Sequence, residues 1–367
     1  MDRRQLLITA GALALCGAAP PPSSGGVSAA ARALYRKSIV FDANLSPPVQ
    51  DSFPFPASML EMVGASGVTA AKTSLGGTDA RFEDALGEIA FFQRVIEQYP
   101  DVFLAVREAS DFARAKRDKK FGILFSFESV EMFEGKVERI ALFRNLGVRV
   151  MQLSYNKTSP WASGALADPS LGLSDLGRKA VAAMNEAGVA IDISHANETT
   201  SNDVMAASKT PPIVTHAGCA AIHAHPRNKS DALLRAIAAR GGVVGIFDLP
   251  YLTESPKQPT LEDYMAHMTH ALSICGEDHV GIGSDSDLAP FDVSPKGMEA
   301  FEKDVAYRKQ IGVSAPGEDR PPYVVGLNTP RRSEIVADAL LKRGYPARVA
   351  EKVLGANFVA ALARIWG

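Results

Sequence analysis

The stretch Val189-Ala-Ile-Asp-Ile-Ser-His195 is a short apolar run that ends in an imidazole, and this pattern is the basis for predicting the fold. Leu176–Ala187 before it has the spacing of an amphipathic helix, and Gly188 between the two is a helix C-terminal signal. Similar apolar, β-branched runs recur along the chain at Ile39–Leu45, Val68–Ser74, Gly122–Phe127, Val148–Leu153, Pro212–Thr215, Val243–Phe247 and Val280–Gly283. Amphipathic stretches separate most of these runs, and this alternation predicts a parallel sheet covered by helices.

Length and strand number favour a closed barrel over an open, doubly wound sheet. The chain has 367 residues, and eight strand candidates within roughly 250 residues fit a (β/α)8 barrel. We predict the α/β class, with a TIM-like barrel forming a single large domain over residues 30–367 and ending in a helical extension. Ser333–Ile365 carries two helical patterns for that extension, whereas Ala289–Pro322, rich in proline and charge, is predicted to be a long loop.

Composition excludes several classes of protein. Hydrophobic residues make up 46% and charged residues 22% of the chain, which is typical of a folded core and excludes intrinsic disorder. The net charge of −2 gives no positive field for nucleic acid. Three cysteines, Cys16, Cys219 and Cys275, are too few for a disulfide scaffold or a thiolate zinc cluster. No G-x-G-x-x-G or phosphate-loop motif follows a strand, so a nucleotide cofactor is not expected.

The first residues have the layout of a bacterial export signal. Arg3-Arg4 is followed by the apolar run Leu6–Ala19 and a segment of small residues, and the arginine pair resembles the twin-arginine type. We therefore expect residues 1–29 to be an export signal and the mature protein to be periplasmic or secreted. Lipoprotein anchoring at Cys16 is less expected, because Leu15 is too bulky for the usual lipidation site.

Chemically useful side chains lie where successive strand candidates end. They are Glu128, Tyr155, His195, His216 and Asp285. One such histidine would more often be a hydrogen-bonded structural residue, but in a barrel the carboxyl ends of all strands meet at one mouth, where catalytic groups gather. Two imidazoles and a carboxylate form a ligand set suited to zinc. The sequence therefore predicts a metal site at this end of the barrel.

A set of motifs in fixed order then points to a family. These motifs are Asp192-Ile-Ser-His195, Thr215-His216, His225-Pro-Arg-Asn228, Gly241-Gly-Val-Val-Gly245, Gly281-Ile-Gly-Ser-Asp285, Leu327-Asn-Thr-Pro330 and Gly355-Ala-Asn-Phe358. Together they resemble the renal (membrane) dipeptidase family of zinc metallopeptidases, which have amidohydrolase-like barrels. The resemblance runs from about Ile39 to the C-terminus.

The resemblance implies a role for each matching residue. Glu128 would be the bridging metal carboxylate, and His195 and His216 would be ligands of one metal. Arg227 would hold the free carboxylate of the substrate, for which its planar fork of donors is suited. Asp285 would orient or deprotonate the attacking water, while the metal polarises the scissile carbonyl.

Three positions depart from the family pattern. The family's first strand delivers His-x-Asp to a second metal, but here Asn44 and Ser46 stand in those places. An amide and a hydroxyl are poor zinc ligands, so we expect one zinc ion and doubt the second site. The family's histidine after a later strand is Tyr155 here, which would also face the substrate and can donate one hydrogen bond without becoming cationic.

Two functions follow as expectations. The first is an exported, metal-dependent dipeptidase-like hydrolase that cleaves dipeptides or related small amides with metal-activated water. The second is a degenerate family member that binds a peptide-like ligand, or performs another step in natural-product maturation, without dipeptidase activity. The expected partner is a small peptide-like substrate, with no nucleic acid and no membrane span, and a homodimer is left open.

Overall fold

A closed barrel of parallel strands forms the centre of the molecule. The computed structural model describes residues 26–78 and 80–367, so the expected export signal at residues 1–29 lies almost entirely outside the described residues. The barrel strands are β1 (Phe41–Asp42), β3 (Ala70–Leu75), β5 (Phe121–Phe127), β6 (Val150–Met151), β7 (Ala190–Ile191), β8 (Val214–Ala217), β9 (Val244–Ile246) and β10 (Val280–Ile282). Each of them falls within or beside one of the apolar runs from which a strand was predicted.

The remaining strands are short additions to this barrel. β4 (Phe103–Ala105) pairs with the first residues of β5. β2 (Leu45–Ser46) and β11 (Ser286–Asp287) form a separate parallel pair just beyond β1 and β10. This small sheet brings the chain segments that carry Asn44 and Asp285 side by side, and the Asp285 N–H donates to the Asn44 carbonyl at 2.7 Å.

Helices surround the barrel. They are α1 (Ala29–Lys37), α2 (Ala57–Ser66), α3 (Phe82–Gln98), α4 (Ser110–Asp118), α5 (Arg139–Asn145), α6 (Asp175–Ala187), α7 (Glu198–Ala207), α8 (Asp231–Ala239), α9 (Leu261–Cys275), α10 (Pro295–Gln310), α11 (Arg332–Lys342), α12 (Ala347–Glu351) and α13 (Asn357–Trp366). Serine, threonine or asparagine side chains cap the first turn of several of them. Gly188 ends α6 in a left-handed conformation with φ 61°, as the sequence predicted.

Strand pairing confirms the predicted (β/α)8 barrel. The sheet runs in the order β7-β6-β5-β3-β1-β10-β9-β8, and all of its neighbouring strands are parallel. A parallel bridge between Asp192 and Ile213 joins the two ends of this order, so the sheet closes on itself. Because the strands are parallel, their carboxyl ends share one mouth, and the residues that follow them are brought together.

The opposite end of the barrel is covered by the C-terminal helix. Phe358, Leu362 and Ile365 of α13 are buried in one apolar cluster with residues at the amino ends of barrel strands, such as Ala70 and Ala190. The predicted C-terminal helical extension is therefore present, and it closes the end of the barrel away from the mouth.

One prediction about the chain after the last strand is wrong. Residues 289–322 were expected to form a long loop, but α10 occupies much of that stretch. Ser294 caps α10 by accepting from the Gly297 N–H, and Pro295 stands in the first turn, where a missing N–H costs nothing. Val305 is the buried residue of α10, so the helix lacks the apolar stripe by which a helix is recognised in a sequence.

Candidate metal centre

Three ligand-type side chains meet at the mouth of the barrel. Glu128 directly follows β5, His195 follows β7 after a short extension, and His216 lies within β8. One ligand atom from each residue lies within 4.8 Å of the other two. The two histidine Nε2 atoms are 3.0 Å apart, and Glu128 oxygens lie 3.9 Å from Nε2 of His195 and 4.0 Å from Nε2 of His216.

Hydrogen bonds fix which nitrogen of His195 faces the others. Asn156 donates its amide N–H to the Val313 carbonyl at 2.7 Å, so its Oδ1 must accept from Nδ1 of His195 at 2.8 Å. The proton of the imidazole is therefore on Nδ1, and Nε2 presents a lone pair to the site.

His216 is held in the same tautomer by a different group. The Thr215 hydroxyl donates to Oδ2 of Asp192 at 2.5 Å and therefore accepts from Nδ1 of His216 at 2.8 Å. Asp192 also accepts the backbone N–H groups of Ser194 and Thr215 through Oδ1. One buried carboxylate thus holds the segments that carry both histidines.

Both imidazoles are neutral in this environment. Burial lowers the pKa of His195 and of His216 well below the ordinary value, and the positive charge of Arg227 lowers both further. Two Nε2 lone pairs that face each other beside a carboxylate repel one another, and a cation bound by all three groups would offset that repulsion. The donor set therefore fits a divalent cation, and its chemistry is that of zinc sites.

Asp285 lies beside these ligands and is held in a fixed orientation. Its backbone has a left-handed φ of 58°, which is uncommon for a residue other than glycine. Oδ1 accepts from the Asn44 amide at 2.6 Å, and Oδ2 lies 3.9 Å from Nε2 of His216. Burial raises the pKa of Asp285 to about 7, and the negative charge of Glu128 contributes to the increase. A carboxyl with a pKa near neutrality is suited to accepting and returning a proton.

Arg227 is a buried cation with unused donors. Its side chain is 2% exposed, and within the part of the chain that the structure describes Nε and Nη2 have no hydrogen-bond partner. His225 positions the loop, because its Nδ1 accepts the Arg227 backbone N–H at 3.2 Å and its Nε2 contacts the Pro316 carbonyl at 2.9 Å. A buried guanidinium with free N–H groups is a ready site for a carboxylate ligand.

Tyr155 forms one wall of the site. Its ring stacks on the imidazole of His195 with centroids 3.9 Å apart, and its hydroxyl accepts from Nη2 of Arg308 at 3.2 Å. Burial raises the pKa of Tyr155, so the phenol keeps its proton and can donate it in a hydrogen bond.

Asn44 and Ser46 occupy different environments. The Asn44 amide donates to Oε1 of Glu128 at 2.8 Å and to Oδ1 of Asp285 at 2.6 Å, so both of its N–H groups are used. Ser46 is half-buried in β2 and its carbonyl accepts from the Leu288 N–H. Asp42, two residues before Asn44, accepts from the backbone N–H groups of Asn44 and Ser284.

One site residue was missed by the sequence analysis. Lys72 lies in β3, is 1% exposed, and has its Nζ 3.6 Å from Oε1 of Glu128. A lysine inside a run of otherwise uncharged strand residues was the available signal, since lysines are almost never fully buried unless they are paired.

The two cysteines within the described residues are separate from this chemistry. Cys219 and Cys275 are both buried and free. Burial raises the pKa of each thiol to about 12, which makes a nucleophilic role at the site unfavourable.

The fold and these side chains define a class of protein: a parallel α/β barrel with a metal-ligand set at the carboxyl ends of its strands. Residues 29–306 match the family model described as membrane dipeptidase, peptidase family M19. The chain therefore belongs to the membrane dipeptidase family, as its motifs predicted.

Individual relatives agree with this assignment. Dipeptidase tcpJ of Claviceps purpurea is 28% identical over 289 residues, which cover 78% of this chain and 61% of tcpJ. The chain thus spans less than two thirds of the length of that relative. An amidohydrolase from Pseudomonas aeruginosa has a crystal structure with a TM-score of 0.80 and 30% identity, covering 92% of this chain and 99% of the other.

A more distant structure shares the fold. A metallopeptidase from Rhodobacter sphaeroides, liganded with a phosphinate mimic of the dipeptide L-Ala-D-Ala, has a TM-score of 0.71 and 20% identity, over 90% of this chain and 100% of that one. Among the described residues, no helix combines the length and apolar character that crossing a membrane requires.

Proposed function

We propose that this chain hydrolyses the peptide bond of dipeptides, or a related small amide with a free carboxylate, using one zinc ion bound by Glu128, His195 and His216. The observation that carries the proposal is the convergence of these three donors in the same mouth as a buried arginine with unpaired N–H groups. The phosphinate dipeptide mimic bound by the Rhodobacter sphaeroides metallopeptidase supports the choice of substrate class.

Each residue would act at a definite point of the reaction. Arg227 binds the substrate carboxylate and sets how far the peptide bond enters the mouth. Zinc held by the triad would supply Lewis acidity toward the scissile carbonyl and toward the attacking water. Asp285 takes a proton from that water and returns it to the leaving amine. Tyr155 donates a hydrogen bond to the carbonyl oxygen as negative charge develops on it.

Asn44 favours the binding of a single metal ion. Because its two N–H groups bind Glu128 and Asp285, it holds both carboxylates in fixed directions. Each carboxylate keeps one oxygen free, and these oxygens face the histidines. Single-zinc hydrolysis is chemically workable, since one ion can activate water and polarise a carbonyl.

A dipeptide panel with metal analysis tests the proposal. The wild-type chain should bind one zinc ion and cleave at least one dipeptide. His216→Ala should lose both zinc binding and activity. His279→Ala is the control and should lose neither, because His279 contacts the Gly242 carbonyl just before β9. Two tightly held ions in the wild type would contradict the single-ion centre, and no bound ion would contradict the metal-dependent reaction.

The second candidate is a family member that binds a peptide-like ligand without cleaving it. It is favoured by Asn44 and Ser46, which offer an amide and a hydroxyl where the family uses metal ligands. The double variant Asn44→His with Ser46→Asp separates the two candidates. An inert wild type together with an active double variant would favour this candidate, whereas turnover by the wild type would exclude it.

We further propose that the protein acts outside the cytoplasm, on the basis of the Arg3-Arg4 pair and the apolar run after it. Cell fractionation of the full chain should place it in the periplasm or the medium. Replacement of both arginines by lysine should retain it in the cytoplasm, and an unchanged distribution would contradict a twin-arginine route.

A further inference from the structure

Lys72 is a buried cation without a hydrogen bond. Its side chain is 1% exposed, and Nζ has no hydrogen-bond partner among residues 26–78 and 80–367. Burial of an ammonium group is strongly unfavourable unless a negative charge compensates it. The carboxylate of Glu128 lies 3.6 Å away, which is close enough for charge compensation but too long for a good hydrogen bond.

The barrel register explains why Lys72 reaches this point. β3 lies between β1 and β5 in the sheet, so its side chains are flanked by the strands that lead to Asn44 and to Glu128. Lys72 itself is in register with Leu124 of β5, four residues before Glu128. Its long side chain therefore extends from within the barrel up to the mouth. The charge of Lys72 also acts on both histidines and on Asp285.

Asn44 and Lys72 both lie against Oε1 of Glu128. The amide nitrogen of Asn44 lies within hydrogen-bond distance of one oxygen of Glu128 and one oxygen of Asp285. Two carboxylates that share a partner in this way would ordinarily share a cation, because their negative charges repel each other. The amide provides the two bonds but no charge, whereas Lys72 provides the charge without a bond.

We propose that the Asn44 amide and the Lys72 ammonium together replace a second divalent cation at this centre. Oε2 of Glu128, which lies 3.9 Å from Nε2 of His195, would then be left for a single ion. Lys72 is the positioning residue that neutralises the negative charge at Oε1. The inference rests on the proposed single-zinc function. It means that Lys72 supplies the positive charge that a second zinc ion would otherwise bring.

Zinc binding by four proteins tests this inference. They are the wild type, Lys72→Met, the double variant Asn44→His with Ser46→Asp, and the triple variant that combines all three changes. Isothermal titration and native mass spectrometry give the number of zinc ions and their affinities, independently of any enzymatic activity. Methionine keeps the length of the lysine stem but removes the charge, and thermal unfolding of each protein confirms that it is folded.

The expected result is one ion in the wild type and a second ion in the triple variant. That second ion should bind at least about tenfold more tightly in the triple variant than in the double variant, because Lys72 repels a cation beside Glu128. Lys229→Met in the double-variant background is the matched control. Lys229 is also buried, but its Nζ donates to the Ala196 carbonyl at 2.8 Å, so its loss should strengthen the second site much less.

Several outcomes would overturn the inference. Two tight ions in the wild type would do so, as would equal second-ion affinities in the double and triple variants, or no second ion in the triple variant. If the wild type binds one ion but Lys72→Met does not change the affinity for the second ion, the inference fails alone and the proposed function stands. If none of the proteins binds zinc, the proposed function fails with it.

Discussion

At the scale of single residues, Arg227 has a clear consequence for specificity. Its buried, unpaired N–H groups imply that a ligand with a matching carboxylate completes its hydrogen bonds. A substrate that ends in an amide has no carboxylate to accept these N–H groups, so the buried guanidinium stays without a charged partner. Discrimination between free and amidated C-termini should therefore depend on this one side chain.

Arg227→Met should raise KM for a dipeptide by about 10–100-fold, corresponding to the ~1.5–3 kcal/mol of a charged hydrogen bond. It should also remove the preference for a dipeptide over its C-terminal amide. Steady-state kinetics on both substrates measure the change. Arg235→Met, which alters an exposed arginine of α8, should leave both values unchanged. A variant of Arg227 that keeps the preference would show that the carboxylate binds elsewhere.

The histidine ligands give a second prediction, for the pH dependence of zinc affinity. An ordinary pair of imidazoles with pKa ~6.5 would lose roughly tenfold in affinity between pH 7.5 and 6, because protons compete with the metal. Burial lowers the pKa of both His195 and His216 well below that value, so neither binds a proton in this range. The imidazoles should therefore contribute almost no pH dependence.

The measurement is best made in Asp285→Asn, because Asp285 has a pKa raised to about 7 and would itself titrate over the same range. Competition with a chelator of known pH dependence measures the zinc affinity of this variant at pH 7.5 and at pH 6. The two affinities should agree within about threefold. A tenfold loss at pH 6 would mean that the imidazoles are protonated there and that burial does not keep them neutral.

At the scale of the strand, β8 is irregular beside His216. The pairing of β8 with β9 shifts between Val214 and Ala217. The Thr215 carbonyl there lies against Gly245 and Gly283, where an added Cβ would be 2.1 Å and 1.8 Å from the carbonyl oxygen. Glycine is required at both positions because the backbones approach so closely.

Gly245→Ala should therefore displace β8, destabilise the protein by about 1–3 kcal/mol, and weaken zinc binding through the movement of His216. Denaturant unfolding and zinc titration measure the two effects. Gly64→Ala in α2 is the matched control, since nothing lies within 4 Å of its added Cβ, and it should stabilise the helix by about 0.5–1 kcal/mol. Unchanged zinc affinity in Gly245→Ala would show that the irregular backbone of β8 does not affect zinc binding.

Elements with strong local signals were predictable from the sequence, and those without them were not. The barrel strands are buried on both faces, so they appear as continuous apolar runs that end in polar residues. α10 lacks such a run, because it packs mainly through Val305. The approach of Lys72 to Glu128 depends on the register between β3 and β5, a contact between residues distant in sequence that periodicity does not encode.

At the scale of the whole molecule, the barrel has a chemical end and a structural end. The mouth carries the ligand triad, whereas α13 covers the opposite end with a cluster that includes Phe358. The ring of Phe358 packs edge-on against Phe41 with centroids 5.8 Å apart. It also lies over Gly281, where an added Cβ would be 2.6 Å from it. Stability and metal binding should therefore be separable by mutation.

Phe358→Ala should destabilise the protein by about 3–5 kcal/mol, because it leaves a cavity beneath the barrel. Zinc affinity should change by less than about twofold, since folded molecules keep the same ligands at the other end. Denaturant unfolding and zinc titration of the folded variant check both statements. A parallel loss of zinc affinity would show that the two ends of the barrel are coupled.

Asp192 has a consequence for which ions this protein can accept. Because one carboxylate ties down the segments of both histidines, the gap between their Nε2 atoms is set by the protein before any ion arrives. Zinc, with bonds of ~2.0–2.1 Å to imidazole, suits a narrow gap. Calcium instead takes about six to eight oxygen ligands at ~2.3–2.6 Å, and two imidazoles held this close offer it nitrogens in their place. By holding two nitrogen donors together, Asp192 should favour zinc over calcium, although it touches neither ion.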